Sequence, residues 1–426
     1  MQRGSRLRRM VLAATSALLA FGLAGCASSV SDTGFPPQQP GGFSSDVTAR
    51  LKAAVTDAIA QSGGSAGIVG VWAPWAGSWT AAIGTTTRGG STPVTSSMTF
   101  RVGQLTTSMT CTVLLELVDD GTVQLDDSVS KWLPGLVGVD GVTLRELCQN
   151  TSGIGDYAAQ LRGEFLANPT RYWPPLELAS DGIATARVGT PGEKYSPSQT
   201  NAVLVGMALQ NASNRNWQQL YDSHVFSRLG MSASTLPENS VLTVPGAHPA
   251  GYAAALDAAG APVCDQVHEV PALSPSMGWT SAGVVSNVPD LKVFAQALAG
   301  GSLLSSRSAD AQRKTVAAGA SWLGYGLGVQ SVGPLRGGAA AIPGYLTAMY
   351  ADPSSGLTIV AAVNNSTPGA GFAQALAQRL ASIVSKVPAV QKGAKPITSL
   401  PWSEDQAVAA MKAAAPCPTP PAKTAG

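Results

Sequence analysis

The chain has 426 residues, of which 45% are hydrophobic and 12% charged, and its formal net charge is +2. This composition is enough for a substantial core, so we predict a folded domain with room for two lobes. Because no basic run and no interleaving of basic and aromatic residues follows the N-terminal segment, we exclude nucleic acid as a partner.

The N-terminus has the pattern of an export signal. An arginine-rich start precedes an apolar run from Met10 to Gly22, which is too short to cross a bilayer as a mature helix. The run ends in Leu23-Ala24-Gly25-Cys26, which resembles the bacterial lipobox, where the Cys is acylated after cleavage. We therefore predict removal of residues 1–25, lipidation of Cys26 and attachment to the extracytoplasmic face of the cell membrane. An ordinary secretory signal with a chance Cys explains the small residues before Cys26 less well.

Two segments differ in composition from the rest of the chain. Residues 26–45 are rich in Ser, Gly, Pro and Gln, so they bury too little apolar surface to offset the entropy of ordering, and we predict a flexible tether. Residues 386–426 form a Pro-rich tail, in which Glu404–Ala414 is predicted to be helical because Ser403 and Gln406 have capping-box spacing. These boundaries leave residues 46–385 as the folded domain.

Within this domain, predicted strands at both ends flank a helical middle, and no internal repeat is visible. The predicted elements, in chain order, are a helix at Asp46–Ile59, strands at Gly67–Trp72 and Trp79–Gly84, helices at Gln104–Val118 and Ser286–Leu298, strands at Gly324–Val332, Tyr345–Asp352 and Leu357–Val363, and a helix at Ala370–Val384.

The cysteines indicate disulfide bonds. Besides Cys26, the chain has an even set suited to an oxidising compartment, with more than one pairing open: Cys111, Cys148, Cys264 and Cys417. None of them has metal-ligand spacing, and the histidines lie in unrelated segments. We therefore predict neither a metal site nor a cofactor.

Several short motifs occur together in a recognisable order. They are Phe100–Gly103 followed by Gln104–Thr107, Thr143–Leu147 with Thr151–Ile154, Pro191–Ser196, Leu229–Met231, Gly324–Gly328 and Pro343–Tyr345. In this order they resemble the serine β-lactamase and penicillin-binding-protein family, over roughly residues 46 to 385. The order of several motifs is stronger evidence than any one of them.

The resemblance implies an α+β fold of the β-lactamase and D,D-peptidase type. One lobe has an antiparallel sheet formed by both chain ends, the other lobe is helical, and a cleft lies between them. The family packs the segments of Cys111 and Cys148 close together, which implies a Cys111–Cys148 disulfide. The remaining pair, Cys264–Cys417, would then tie the tail to the body.

The catalytic positions of the family carry other residues here. The family places a nucleophilic Ser and a Lys one helical turn apart, and these positions are Gln104 and Thr107. Its second motif falls on Pro197, Ser198 and Gln199. Its third motif, which holds Lys or His, falls on Gly338-Ala339-Ala340, or on Arg336-Gly337-Gly338 with a two-residue shift. Neither register supplies Lys or His.

One part of the family site does not depend on side chains. The oxyanion hole uses backbone N–H groups, which by resemblance belong to Gln104 and Ala341. We therefore expect a weak carbonyl-binding pocket to remain open in the cleft. Asp156 lies after the Thr-Ser-Gly loop, and we keep two interpretations of it, a cleft residue or a loop carboxylate with local backbone bonds.

Three hypotheses about function follow, of which the third is a purely structural envelope protein with an occluded cleft. In the first, the protein is a catalytically inactive pseudo-enzyme whose cleft binds a cell-wall peptide or an envelope protein, with Gln104, Ser108, Ser198, Arg336 and Ala341 as candidate cleft residues. In the second, it is an active serine hydrolase, a D,D-carboxypeptidase, β-lactamase or esterase, with a nonstandard nucleophile such as Ser108 or Ser198. The literal Ser-x-x-Lys at Ser128–Lys131 is interpreted as a solvated turn.

Overall fold

The structure is a computed structural model that describes residues 34–397 and 399–417. The predicted signal peptide and Cys26 lie outside these residues. Along the described part of the chain, no helix combines the length and apolar character needed to cross a membrane.

Strands from both ends of the chain form the main sheet. The strands are β1 (Ala66–Ala73), β2 (Gly77–Gly84), β3 (Phe100–Arg101), β4 (Tyr252–Leu256), β5 (Pro262–Glu269), β6 (Val285–Ser286), β7 (Val316–Ala317), β8 (Leu323–Tyr325), β9 (Gln330–Val332), β10 (Leu335–Ile342), β11 (Tyr345–Ala351) and β12 (Thr358–Val363). Eight of them pair in the order β2-β1-β12-β11-β10-β9-β8-β7, and every pair is antiparallel. The predicted α+β architecture is confirmed.

Helices cover the sheet and build the second lobe. They are α1 (Ser45–Ser62), α2 (Leu105–Asp119), α3 (Val129–Trp132), α4 (Leu144–Cys148), α5 (Tyr157–Gln160), α6 (Arg162–Ala167), α7 (Pro175–Ala184), α8 (Gln199–Ser213), α9 (Trp217–Tyr221), α10 (Ser227–Leu229), α11 (Trp279–Ala282), α12 (Val288–Gly300), α13 (Ser306–Arg313), α14 (Ala370–Val384) and α15 (Glu404–Ala414). A π-helical turn at Asp222–Phe226 precedes α10, and a 3-10 turn at Pro275–Met277 precedes α11.

Two hydrophobic cores lie on opposite faces of the sheet. Helices α1 and α14 pack on one face of the sheet, and the side chains of Val55, Tyr350 and Phe372 are buried there. On the other face, α12 and α2 pack against the sheet, and α2 also contacts α8 and α11 of the helical lobe. Met109 on α2 and Val203 on α8 belong to this second core. Helix α2 is therefore shared by the two lobes, and its first turn lies where they meet.

The predicted tether and tail are partly packed. Phe43 is buried against the sheet core, and Gly42 forms a parallel bridge with Ser78 of β2. The folded domain therefore begins before Asp46, because the sheet covers the large apolar side chain of Phe43. In the tail, α15 packs on α14 and has the predicted Ser403–Gln406 capping box. This part of the tail belongs to the body.

Both predicted disulfides are present. Cys111 on α2 and Cys148 on α4 are bonded with a Cα–Cα distance of 5.8 Å, and both residues are buried. Cys264 on β5 is bonded to Cys417 beyond α15. The first bridge lies inside the helical lobe, and the second connects the tail to the hairpin formed by β4 and β5.

Two local predictions need correction. The segment predicted as one strand at Gly324–Val332 is two strands, β8 and β9, because the chain turns between them. Gly328 has φ 71°, donates its N–H to the Cys148 carbonyl at 2.8 Å, and a Cβ there would lie 2.5 Å from Cys111 Cβ. The second correction is the β4–β5 hairpin, which falls in the stretch predicted to be helices and loops.

The Ser-x-x-Lys at Ser128–Lys131 is a helix start. The Ser128 hydroxyl accepts a hydrogen bond from the Ser130 N–H and caps α3, while Lys131 pairs with Asp127 at 2.8 Å. These contacts agree with the prediction of a solvated turn.

Candidate ligand-binding cleft

Two cavities meet at the start of α2. The inner cavity, of about 430 Å³, lies between α2, the segment before α8, and strands β8 to β10. The outer cavity, of about 260 Å³, lies between α6, the β4 strand and the end of β10. Gln104, Gln199 and Ala341 line both cavities. The boundary between the cavities is therefore built by side chains at the predicted catalytic positions.

The side chain of Gln104 pairs with the backbone of Ala341. Its Oε1 atom accepts a hydrogen bond from the Ala341 N–H at 2.8 Å, and its Nε2 atom donates to the Ala341 carbonyl at 2.9 Å. Close approach of the two segments depends on Gly103, which has φ 57° and where a Cβ would lie 3.1 Å from Ala340 Cβ. The amide thus bridges α2 and β10.

This pairing corrects the expectation of an open carbonyl pocket. The Ala341 N–H, which we expected to remain available for a ligand carbonyl, already donates to Gln104. The sequence motif indicates Gln104 only as a missing nucleophile. Because a residue's type does not reveal which way its side chain turns, the occupied donor cannot be predicted from the motif.

Thr107 and Ser108 lie on the wall of the inner cavity. The Thr107 hydroxyl, at the position of the family's Lys, donates to the Ser281 carbonyl at 3.1 Å. Ser108 is buried beside the turn that contains Gly328. A threonine hydroxyl is far too weak a base to take a proton from a nucleophile, so Thr107 cannot replace the family's Lys.

The second-motif positions also line the inner cavity. Pro197 has no titratable group, and the Ser198 hydroxyl donates to the Gly155 carbonyl at 2.9 Å. Gln199 lies close to the Ser281 hydroxyl, which donates to its Oε1 atom at 3.4 Å. These residues build the wall through backbone and amide contacts.

The third-motif positions lie on β10. Gly338 and Ala339 line the inner cavity, and Ala340 is buried in the core of the helical lobe. Arg336, which we predicted as a cleft candidate, lies outside both cavities, where its guanidinium is close to Asp352 and Arg313. Arg336 lies in the part of β10 that pairs with β9.

The edge of β10 beyond Gly337 is open to the cavities. Up to Gly337 the strand pairs with β9, whereas from Gly338 to Ile342 it pairs only with β11 among the described strands. Backbone groups of alternate residues face the same edge of an antiparallel strand. Since Ala341 directs its N–H and C=O toward Gln104, Ala339 directs its own pair to the same edge. The edge can accept an extended peptide backbone.

The far wall of the inner cavity was not found from the sequence. Tyr195 and Tyr325 pack with ring centroids 5.1 Å apart, and burial raises the pKa of both phenols. Asn150 and Gln330 lie beside them in the same wall. These side chains come from segments far apart in sequence. The only sequence signal for this wall was a Tyr in each of the motifs Pro191–Ser196 and Gly324–Gly328.

Asp156 fits both interpretations made from the sequence. It lines the inner cavity, and its carboxylate accepts hydrogen bonds from the N–H groups of Ala158 and Gln199 at 3.2 and 2.9 Å. Burial raises the pKa of Asp156 despite these bonds. Among the described residues that line the inner cavity, Asp156 is the one with a carboxyl group, and Lys, Arg and His are absent.

The raised pKa makes the effect of Asp156→Asn depend on pH. A buried acid whose pKa rises on folding weakens the folded state once the pH exceeds its ordinary value of about 4. Asn keeps an oxygen acceptor for both N–H groups and removes the charge. We expect the free energy of unfolding of Asp156→Asn, relative to the wild type, to increase from pH 4 to pH 7 in urea titrations.

A control for this prediction is Asp140→Asn, at an exposed carboxylate. An Asp156→Asn difference that is the same at both pH values would contradict the assigned cause.

Comparisons with known proteins agree on one family. A family model described as Beta-lactamase matches residues 52–383. The D-alanyl-D-alanine-carboxypeptidase/endopeptidase AmpH of Escherichia coli (strain K12) is 31% identical over 141 residues, which is 32% of this chain and 36% of that protein. Penicillin-binding protein 4* of Bacillus subtilis (strain 168) is 27% identical over 150 residues, 33% of this chain and 31% of that protein. The chain thus spans about a third of the length of these curated relatives.

Solved structures match over a larger share. A D-stereospecific amidohydrolase from Streptomyces sp. superposes with a TM-score of 0.66 and 27% identity, over 76% of this chain and 95% of that chain. A penicillin-binding protein homologue from Pyrococcus abyssi superposes with a TM-score of 0.65 and 19% identity, over 78% of this chain and 75% of that chain. At that identity, the second likeness shows the fold alone.

Proposed function

The chain belongs to the β-lactamase family, and from this premise we propose that it is a catalytically inactive member whose cleft binds a cell-wall peptide. The observation that carries the proposal is the Gln104 carboxamide, which occupies the position of the family's nucleophile and both backbone hydrogen-bonding groups of Ala341. A carboxamide does not attack an acyl carbon usefully. Here it also occupies the Ala341 N–H, which is then not free to bind the oxyanion of a reacting substrate.

The surroundings of the alternative nucleophiles support this proposal over an active serine hydrolase. A serine needs an adjacent base to become nucleophilic. The Ser198 hydroxyl donates to a backbone carbonyl, and the described lining of the inner cavity supplies neither Lys nor His to Ser108 or Ser198. The partly buried carboxylate of Asp156 is engaged by two backbone N–H groups.

The open edge of β10 supports peptide binding. A peptide in extended conformation can add to an unpaired strand edge, where main-chain hydrogen bonds give affinity and neighbouring pockets give specificity. Ala339 provides such an edge along the inner cavity. The names of the relatives refer to D-alanyl-D-alanine peptides and to D-stereospecific amide substrates. We therefore propose cell-wall peptides that contain D-amino acids as the ligands.

Binding without turnover is the test of this function. The protein is incubated with N-acetyl-D-alanyl-D-alanine amide, and saturation-transfer NMR measures binding while the release of D-alanine amide is followed over a day. We expect saturation transfer to the peptide and no release above a protein-free sample. The L,L enantiomer serves as the control and should show weaker transfer.

Release of D-alanine amide would favour the active hydrolase. Equal transfer to both enantiomers would contradict recognition of D-amino acids, and an envelope protein would then be the better candidate for the ligand.

We also propose that the protein is held at the extracytoplasmic face of the membrane by lipidated Cys26. The support is the lipobox and the polar segment that follows it. We expect Cys26→Ala to release the protein into the medium or to leave it unprocessed, because the lipid is the predicted membrane contact. Metabolic labelling with an alkyne fatty acid should mark the wild type and not the variant. A wild type without label would contradict the anchor.

A further inference from the structure

The Gln104 side chain, which occupies the cleft, indicates which class of ligand fits there. The Gln104 side chain offers an acceptor and a donor that face the same way, as the carbonyl and the cis N–H of a primary amide do, whereas the two groups of a trans secondary amide point in opposite directions. Both are used by Ala341, at 2.8 and 2.9 Å. The site is thus complementary to an uncharged amide, and a side chain of the protein satisfies it in this structure.

The Gln104 side chain can leave this position without cost to α2. Although Gln104 is the N-cap residue of α2, its side chain makes no capping hydrogen bond. The residue is also partly exposed, at the boundary of the two cavities. A ligand amide that replaced it would restore both hydrogen bonds of Ala341, and Gln104 would then be solvated.

The charges of the inner cavity disfavour an anionic ligand. Its described lining offers no cation, and it contains the Asp156 carboxylate. A carboxylate placed there would lose its hydration without gaining a counter-ion, which is costly in a partly buried site. The other polar groups, among them Asn150, Gln330 and Tyr195, are neutral donors and acceptors.

The outer cavity is suited to an apolar group. Phe165, Leu166, Met277 and Ile342 line it, next to the Gln104 boundary, and the exposed Arg162 is the charged residue in its described lining. Phe165 and Leu166 also line a surface groove of about 790 Å³ that runs between α6 and the β4–β5 hairpin. An aliphatic chain that begins at the Ala341 amide site can therefore extend through the outer cavity into the groove.

We propose that the cleft binds an uncharged N-acyl amino-acid amide, whose acyl chain fills the outer cavity and whose primary amide takes over the two hydrogen bonds between Gln104 and Ala341. This inference rests on the proposed function, since it names the ligand class of the same non-hydrolysing cleft. Gln104 is then a competitor of the ligand, and Leu166 is a specificity-determining contact.

Matched probes test the ligand class. The protein beginning at residue 27, which retains every described residue, is titrated by calorimetry with N-octanoyl-D-alanine amide, N-octanoyl-D-alanine and N-acetyl-D-alanine amide. We expect the octanoyl amide to bind at least about tenfold more tightly than either other probe, since one lacks the neutral amide terminus and the other the chain. Equal or tighter binding of the octanoyl acid would overturn the charge argument, and equal binding of the acetyl amide would overturn the apolar one.

Variants test the two contacts. Gln104→Ala should tighten binding of the octanoyl amide about tenfold, because the ligand no longer displaces two internal hydrogen bonds. Gln149→Ala, at an amide that bonds the Lys314 carbonyl outside the cleft, should leave it unchanged. Leu166→Asp should weaken it about tenfold, whereas Leu176→Asp, at an exposed leucine of α7, should not.

The outcomes separate this inference from the function on which it rests. Weaker binding by Gln104→Ala would show that Gln104 is a ligand contact and would overturn its role as competitor. Absence of binding by the wild type and by Gln104→Ala together would overturn the ligand class while leaving the peptide test open. Hydrolysis of the octanoyl amide, seen as released ammonia, would instead refute the inactive cleft.

Discussion

Benzylpenicillin will not acylate the purified protein, and nitrocefin will not be turned over. In serine hydrolases, loss of the nucleophile or the base costs on the order of 10⁴ to 10⁶ in rate, and further losses add little because these groups act together. Here Gln104 and Thr107 replace both groups, and the hydroxyl of Thr107 is bonded to the Ser281 carbonyl. Intact-mass spectrometry after prolonged incubation should show only the unmodified chain.

Restoring the first motif alone should recover little of this rate. Gln104→Ser with Thr107→Lys would supply a nucleophile and an amine on one face of α2 and would also free the Ala341 N–H. Pro197 would still provide no proton relay, and Gly338 and Ala340 no cation or hydroxyl for a ligand carboxylate. We therefore expect slow acylation at best, with Gln104→Ser alone as the control. A wild-type adduct mapped to Ser108 or Ser198 would refute the proposal of an inactive cleft.

Loss of the Cys111–Cys148 disulfide will lower the free energy of unfolding by about 2 to 5 kcal/mol. The bridge closes a loop with a sequence separation of 37 residues, so it restricts the unfolded chain. In the folded protein it also holds α2 against α4 and packs on Gly328, at the wall of the inner cavity. Urea unfolding of Cys111→Ala with Cys148→Ala, compared with the wild type, measures this effect.

The other disulfide offers a comparison for this experiment. Cys264→Ser with Cys417→Ser removes a bridge that lies at the surface and joins the end of the tail to β5. This variant measures how the loss of a cross-link alone changes the free energy of unfolding, because it leaves the buried contact at Gly328 in place. An unchanged curve for the Cys111 and Cys148 variant would refute a stabilising role of the buried bridge.

The fold and the Cys111–Cys148 disulfide were predicted from the family resemblance that the order of motifs carries, and Cys264–Cys417 was the pair that remained. The limits of α14 and α15 were also predicted, because apolar spacing and the Ser403–Gln406 capping box are local signals. Segments governed by distant contacts were harder, such as the turn at Gly328, which depends on the Cys111–Cys148 bridge.

The position of the cleft was predicted, but the hydrogen bonds that occupy it were not. The sequence identified Gln104 and Ala341 as neighbours, and this was enough to locate the site. Their hydrogen bonds depend on how closely β10 approaches α2, which Gly103 permits through its backbone conformation. The aromatic wall of Tyr195 and Tyr325 joins segments 130 positions apart, and no local pattern reports such a contact. Arg336 was predicted as a cleft residue because the third motif could be aligned with β10 in two registers that differ by two residues.

The segment that crosses the outer strand of the sheet has a further consequence. Ser78 of β2 donates its N–H to the Gly41 carbonyl, and Phe43 anchors this crossing in the core. Unpaired edge strands are templates for aggregation, and proteins commonly shield them with a covering segment. A shortened protein that starts at Asp46 would lose this cover and expose part of β2 to other copies. We therefore expect removal of residues 34–44 to favour aggregation of the domain.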